Sequence, residues 1–204
     1  MPALLASKWL HDQTGTEVVC TTDAEVNELL EVINLAAVKV VADPWAGLGS
    51  IERCLKTKRK GIVVFSSDRS PIYWWDDKTD ALSQAVVQAI DYRKVDVVIC
   101  SPWYAVLDLA IPLLMGSNAK AFFLHVPSHY LTNMPQPRRQ FMAGLLDQGR
   151  VEAHMCREIG PLGRRCTWLL IFRSAYWRTV MMKRYLNRPM QDGEPVGLPL
   201  AYYI

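Results

Sequence analysis

Ala37-Val-Lys-Val-Val-Ala-Asp-Pro-Trp-Ala-Gly-Leu-Gly-Ser50 is the stretch on which the fold turns. Residues 37–42 are short, apolar and β-branched, the pattern of a strand buried on both faces. They run straight into a turn that carries Gly47 and Gly49 and opens a helix reaching about residue 60. Strand, glycine turn and helix in that order form the repeating unit of a parallel sheet.

The same rhythm extends in both directions. Upstream, residues 22–35 read as a helix: Thr22 and Glu25 have the spacing of a capping box, and Val26, Leu29, Leu30 and Ile33 share one face. Downstream, Gly61 punctuates, and residues 62–65 make a second buried strand ending at Ser66, Ser67 and Asp68. A loop rich in aromatics and acids (Tyr73, Trp74, Trp75, Asp76, Asp77) leads to Asp80, Ala81 and Leu82 and a helix through Tyr92. Residues 95–100 are the next strand, followed by Ser101-Pro-Trp-Tyr104, a helix to about Met115 and a strand over residues 120–126. The rhythm then breaks: two strand-like runs, 150–158 and 165–172, are joined by a short Gly/Pro loop typical of a hairpin. The expectation is an α/β fold with a mostly parallel sheet, an antiparallel closing hairpin and helices on both faces. One domain over residues 20–186 follows, with an N-terminal extension (1–19) and a polar C-terminal tail (187–204).

Composition bounds the rest. A chain of 204 residues that is 50% hydrophobic has room for a single core of ordinary size. The five cysteines are scattered, with no pair or Cys/His cluster at zinc spacing, so neither a metal site nor a disulfide framework is expected. No apolar window is long enough to span a bilayer, and the N-terminal apolar stretch is too short for a signal peptide, so a cytoplasmic or otherwise intracellular protein is expected, with no membrane partner. Net charge is +3, but residues 1–119 hold 11 Lys/Arg against 15 Asp/Glu, and residues 120–204 hold 12 against 5. A basic C-terminal half suits a polyanion, and it equally suits a solvated surface.

Ligands of open α/β sheets bind beyond the carboxyl ends of the strands. Four segments lie there. The turn with Gly47 and Gly49 lets a backbone approach a ligand, yet it is neither Gly-x-Gly-x-x-Gly nor a phosphate-binding loop. Asp68 stands where an acid meets a ribose diol, or where it is merely solvated; Asp80 either accepts from an adenine amine or caps a helix. Ser101-Pro-Trp-Tyr104 decides between these readings, because it joins a hydroxyl, a residue with no N–H and two aromatics at the mouth of the site. A base taken out of its stack needs that combination of platform and acceptors.

These segments resemble a known family. Asp43-Pro-Trp-Ala-Gly-Leu-Gly49 is similar to motif I of class I S-adenosylmethionine-dependent methyltransferases, in the form found in the DNA adenine and cytosine amino-methyltransferases. Ser101-Pro-Trp-Tyr104 is similar to their motif IV, with Trp103 standing where the family has a second proline. Cys20-Thr-Thr-Asp23 resembles the segment that flanks the cofactor. The resemblance spans roughly residues 20–173 and places motif I before motif IV. It implies a Rossmann-like sheet and S-adenosylmethionine as cofactor, held by Thr22, Asp43, Pro44, Ala46, Gly47, Gly49, Asp68, Asp80, Ala81 and Leu82. It implies that Ser101 and the Pro102 carbonyl take the hydrogens of an exocyclic amine, that Tyr104 stacks on the extruded base, and that Trp103 lines the same pocket. Methylation of adenine or cytosine in DNA or RNA, single strands included, is the activity implied.

Among the basic residues Arg138 and Arg139, with Arg164 and Arg165, are the expected phosphate contacts. His125 and His129 flank Val126-Pro-Ser128, where a structural histidine is the commoner outcome. Trp168 is expected in the core; Trp177 and Tyr185 either grip nucleic acid or pack in a helix. A methyltransferase of small molecules or protein side chains, and a silent methyltransferase-like subunit that binds nucleic acid, are the alternatives. A homo-oligomer or a partner subunit is compatible with each.

Overall fold

The computed structural model describes residues 10–11, 17–18, 21–68, 80–132, 134–159 and 165–183. The aromatic loop at 71–79, the hairpin loop at 160–164 with Arg164, Cys20, Tyr185 and the tail at 187–204 lie outside the described residues.

A two-stranded antiparallel ribbon, β1 (Leu10–His11) and β2 (Glu17–Val18), precedes α1 (Asp23–Val32). Then come β3 (Val40–Asp43), α2 (Ser50–Lys58), β4 (Val63–Ser66), α3 (Gln84–Tyr92), β5 (Val97–Cys100) and α4 (Leu107–Met115). The chain continues through β6 (Ala121–Pro127), α5 (His129–Thr132), α6 (Gln136–Asp147), β7 (Val151–Ile159), β8 (Arg165–Phe172) and α7 (Ala175–Met181). Six of the described strands form one sheet in the order β4-β3-β5-β6-β8-β7. The first four are parallel, and β8 enters antiparallel between β6 and β7. The mostly parallel sheet with its antiparallel hairpin is as expected.

Strict alternation along the strands builds two cores. Val98, Cys100, Phe122, Leu124, Leu169 and Ile171 pack with residues of α3, α4 and α6 on one face. Val97, Ile99, Phe123, Trp168, Leu170 and Phe172 pack with residues of α1, α2 and α7 on the other. Trp168 is fully buried, and Trp177 packs in α7 against the second core, its ring 4.7 Å from the Lys120 ammonium.

The α1 capping box is formed: the Glu25 amide donates to Thr22 Oγ1 at 3.2 Å, and the Thr22 amide to Glu25 Oε2 at 2.8 Å. Three boundaries differ from the sequence expectation, each because a turn uses the backbone first. The Val38 amide closes a turn on the Leu35 carbonyl, so β3 starts at Val40. Lys94 has φ +52° and the Val95 amide reaches back to Ile90, so β5 starts at Val97. Asp80 Oδ1 accepts from the Leu82 amide, and the Asp80 carbonyl accepts from Ser83, so residues 80–82 are a turn and α3 starts at Gln84. α6, for which the sequence reading named no element, starts behind Pro135 and ends in a Schellman turn. Gly149 has φ +63° there, and the amides of Gly149 and Arg150 donate to Leu146 and Leu145.

Candidate active site

The carboxyl ends of β3, β4 and β5 lie side by side, because Asp43 is in register with Ser66 and Ala42 with Val98. Asp43 is completely buried. Its Oδ1 accepts from the Trp45 amide at 3.3 Å, and its Oδ2 has no hydrogen-bond partner among the described residues. Burial pushes this carboxyl well above its ordinary pKa, and the charges of Asp68 and Glu52 push the same way. Burial also raises the Cys100 thiol at the end of β5, with Asp43 adding to the effect.

The glycine turn is built from main-chain bonds. Ser67 donates to the Asp43 carbonyl and Ala46 to the Ser67 carbonyl, both at 3.0 Å, and Gly49 donates to Ala46 at 2.8 Å. Gly47 and Gly49 adopt φ +48° and +76°, the left-handed region where a Cβ costs about 1–2 kcal/mol. Gly49 is the N-cap of α2. Asp68 reaches across from the end of β4 and accepts from the Gly47 amide at 3.0 Å.

An open cleft is lined by Pro44, Trp45, Asp80, Ala81, Leu82, Trp103 and Val106. It joins three segments that the sequence singled out separately: the turn after β3, the Asp80 turn and the tetrapeptide after β5. Trp45 and Val106 were not singled out. An aromatic inside a glycine turn was the available sign for Trp45.

Trp103 is the N-cap of a single 3-10 turn, Tyr104–Val106, and its carbonyl accepts from the Val106 amide at 3.0 Å. Pro102 is buried and Ser101 partly exposed. Tyr104 sets its ring edge-on to His129, with centroids 6.3 Å apart, and its hydroxyl lies 3.8 Å from Cys166 Sγ. Thr22 caps α1 and Ala46 is buried within the turn; like Asp43, Gly47, Gly49, Asp68, Ser101, Pro102 and Tyr104, they are not among the residues that line the cleft.

The basic residues are dispersed. Arg138 is clamped bidentately by Asp108 at 2.6 and 2.8 Å, donates to the Tyr130 carbonyl at 3.1 Å and covers the Tyr130 ring at 3.8 Å. The Arg138 hydrogen bond holds the Asp108 carboxyl below its ordinary pKa. Arg139 donates to the Met134 carbonyl at 3.4 Å, and exposed Arg165 opens β8.

No family model and no curated protein matches the chain. Several solved structures superpose on part of it. An O-methyltransferase from Bacillus cereus in complex with SAH superposes with a TM-score of 0.49 at 15% identity, over 76% of this chain and 83% of that one. A fibrillarin/Nop5p complex gives a TM-score of 0.47 at 12% identity, over 82% and 92%. A magnesium protoporphyrin IX methyltransferase from Synechocystis with bound SAM gives 0.44 at 18% identity, over 69% and 72%.

Proposed function

We propose that the chain is an S-adenosylmethionine-dependent methyltransferase that transfers a methyl group to an exocyclic amine of a nucleobase in DNA or RNA. The observation that carries this reading is one cleft on which the turn after β3, the Asp80 turn and Trp103 converge. The mostly parallel six-stranded sheet leaves room for the reading, and the sequence motifs narrow it.

The residues fit the cofactor. Asp43 keeps a buried oxygen without a partner among the described residues, at the start of the glycine turn, an arrangement suited to a polar ligand. Asp43, Gly47, Gly49 and Asp68 would hold its polar parts, and Asp80, Ala81 and Leu82 its ring. When bound, it supplies an electrophilic methyl group on a sulfonium. The rest falls to the chain. An exocyclic amine is a poor nucleophile because its lone pair is delocalised into the base, and Ser101 Oγ with the Pro102 carbonyl accepts its hydrogens, which localises that lone pair. Trp103 and Tyr104 offer the aromatic faces that orient a base, so positioning supplies most of the rate.

The test is transfer of labelled methyl from S-adenosylmethionine to DNA, RNA, protein and small-molecule pools, followed by nucleoside analysis. Label in a methylated exocyclic amine supports the reading. One observation favours the second reading, a small-molecule or protein substrate: Arg138, the leading phosphate contact, is already committed to Asp108. Label confined to those pools would establish it.

A further inference from the structure

Away from the cleft, on the sheet face covered by α1, the apolar packing is interrupted by four groups that can ligate a metal. Glu25 projects from α1, His125 from β6, Cys156 from β7 and Cys166 from β8, and each is at most 4% exposed. Carboxylate oxygen, imidazole nitrogen and thiol sulfur of Glu25, His125 and Cys166 all lie within 4.8 Å of one another. His125 Nε2 is 3.3 Å from Glu25 Oε1 and 3.9 Å from Cys156 Sγ.

Two explanations compete. In a plain ion pair, imidazolium and carboxylate approach to about 2.7–2.9 Å, and one N–H serves one acceptor. Here the nitrogen and oxygen stand wider than that, and the same nitrogen also faces sulfur. Tetrahedral zinc, with bonds of about 2.0 Å to nitrogen or oxygen and about 2.3 Å to sulfur, sets nitrogen and oxygen roughly 3.3 Å apart and nitrogen and sulfur roughly 3.5 Å apart. The two separations from Nε2 follow the second pattern, to within a few tenths of an ångström, whereas Cys156 falls outside the group whose ligand atoms all lie within 4.8 Å of one another, so its thiol has to move inward to complete a tetrahedron.

The outer contacts match it as well. His125 Nδ1 faces Thr21 Oγ1 at 3.3 Å, which fixes the ring and leaves Nε2 to point inward. Glu25 spends Oε2 on the Thr22 amide and hydroxyl at 2.8 and 3.0 Å, leaving Oε1 directed at the cluster. The Trp168 ring lies 4.8 Å from the imidazole, and its Nε1 donates to the Glu25 carbonyl at 2.8 Å, closing the site to water.

We propose that Glu25, His125 and Cys166 bind one zinc ion, with the neighbouring Cys156 thiol drawn in as the fourth ligand, in a closed, structural site that pins the β7–β8 hairpin to α1. Both thiols lose their protons on binding, and the imidazole ligates in its neutral form. Since the Tyr104 hydroxyl rests on Cys166, the ion also fixes the tetrapeptide after β5 from behind. The ligands come from positions 25, 125, 156 and 166, so no local spacing announces them.

The test is elemental analysis of the full chain purified under reducing conditions, then cobalt(II) titration after the metal is stripped. The expected result is roughly one zinc per chain and intense thiolate–cobalt bands that saturate at one equivalent. Cys166→Ser and Cys156→Ser are expected to weaken the bands and lower the zinc content, whereas Cys54→Ser, a buried thiol outside the cluster, leaves both unchanged. The wild-type cobalt spectrum stands even where a variant fails to fold. A folded, reduced wild type with neither zinc nor thiolate–cobalt bands overturns the proposal, as does full zinc content in both cluster variants.

Discussion

Asp68 holds the amide of Gly47 at 3.0 Å, tying the end of β4 to the glycine turn after β3 across 21 residues of sequence. The acid is thus part of the turn's construction as well as a candidate ligand group. Removing the acceptor from a partly buried amide costs about 1–3 kcal/mol. Asp68→Ala is expected to weaken S-adenosylmethionine binding by roughly five- to 150-fold in calorimetry, with Asp68→Asn losing less because an acceptor remains. Wild-type affinity in Asp68→Ala would detach the turn from cofactor binding.

The acid limb of stability has a traceable source in Asp96. Burial pulls this carboxyl up, but the Lys120 ammonium and the amides of Lys39 and Val40 outweigh it, so its folded pKa lies below the ordinary value. A lowered folded pKa gives stability that is present above the unfolded value, about 3.9, and is lost as pH falls through the folded one. Asp96→Asn is therefore expected to unfold at lower urea than wild type near neutrality, with the gap closing below about pH 4. A gap that stays constant into acid would show the effect to be packing rather than charge.

Arg138 is expected to act on stability more than on polyanion binding. Its guanidinium is committed to Asp108 and to the ring and carbonyl of Tyr130. Arg138→Ala is expected to cost about 1 kcal/mol in urea unfolding while changing the salt dependence of nucleic-acid affinity by less than one phosphate equivalent. Arg165→Ala, at an exposed position, is expected to flatten that slope by about one. A full unit lost with Arg138→Ala, at unchanged stability, would reverse the assignment.

Period and turn chemistry made the sheet legible. Val40–Asp43, Val97–Cys100 and Arg165–Phe172 are apolar runs bounded by breakers, and Thr22 and Glu25 announce a helix start that forms as read. Boundaries slipped where side chains or tight turns captured backbone groups, as at Asp80 and Lys94. At the site, Pro44, Asp80, Ala81, Leu82 and Trp103, which line the cleft, were readable through the resemblance to methyltransferase motifs, since taken singly their residue types also suit caps and turns. Pairings across the fold were not readable. Nothing in the sequence shows that Asp108 will occupy Arg138 or that Glu25, His125 and two cysteines will meet, since those contacts depend on strand register and helix placement.

The tetrapeptide after β5 provides the most discriminating test. Trp103 has φ −59° and ψ 138°, values that proline adopts without strain, so Trp103→Pro removes the indole while keeping the backbone path. The variant is expected to fold as cooperatively as wild type and, if the indole is only one wall of the cleft, to keep or raise transfer to a base. Ser101→Ala is expected to lower the methylation rate with cofactor affinity unchanged, because in the proposed reading its hydroxyl meets the amine and not the cofactor. Tyr104→Ala is expected to lose stacking worth roughly 1–3 kcal/mol, and Tyr104→Phe to recover it, since the ring is retained and only the contact to Cys166 is given up. Folded Trp103→Pro protein with no turnover on nucleic acid, beside an active wild type, would mean that the indole shapes a pocket for another substrate, and the small-molecule or protein reading would replace base methylation. A silent wild type whose Trp103→Pro variant gains transfer would instead identify a relative that has lost its chemistry at this one position.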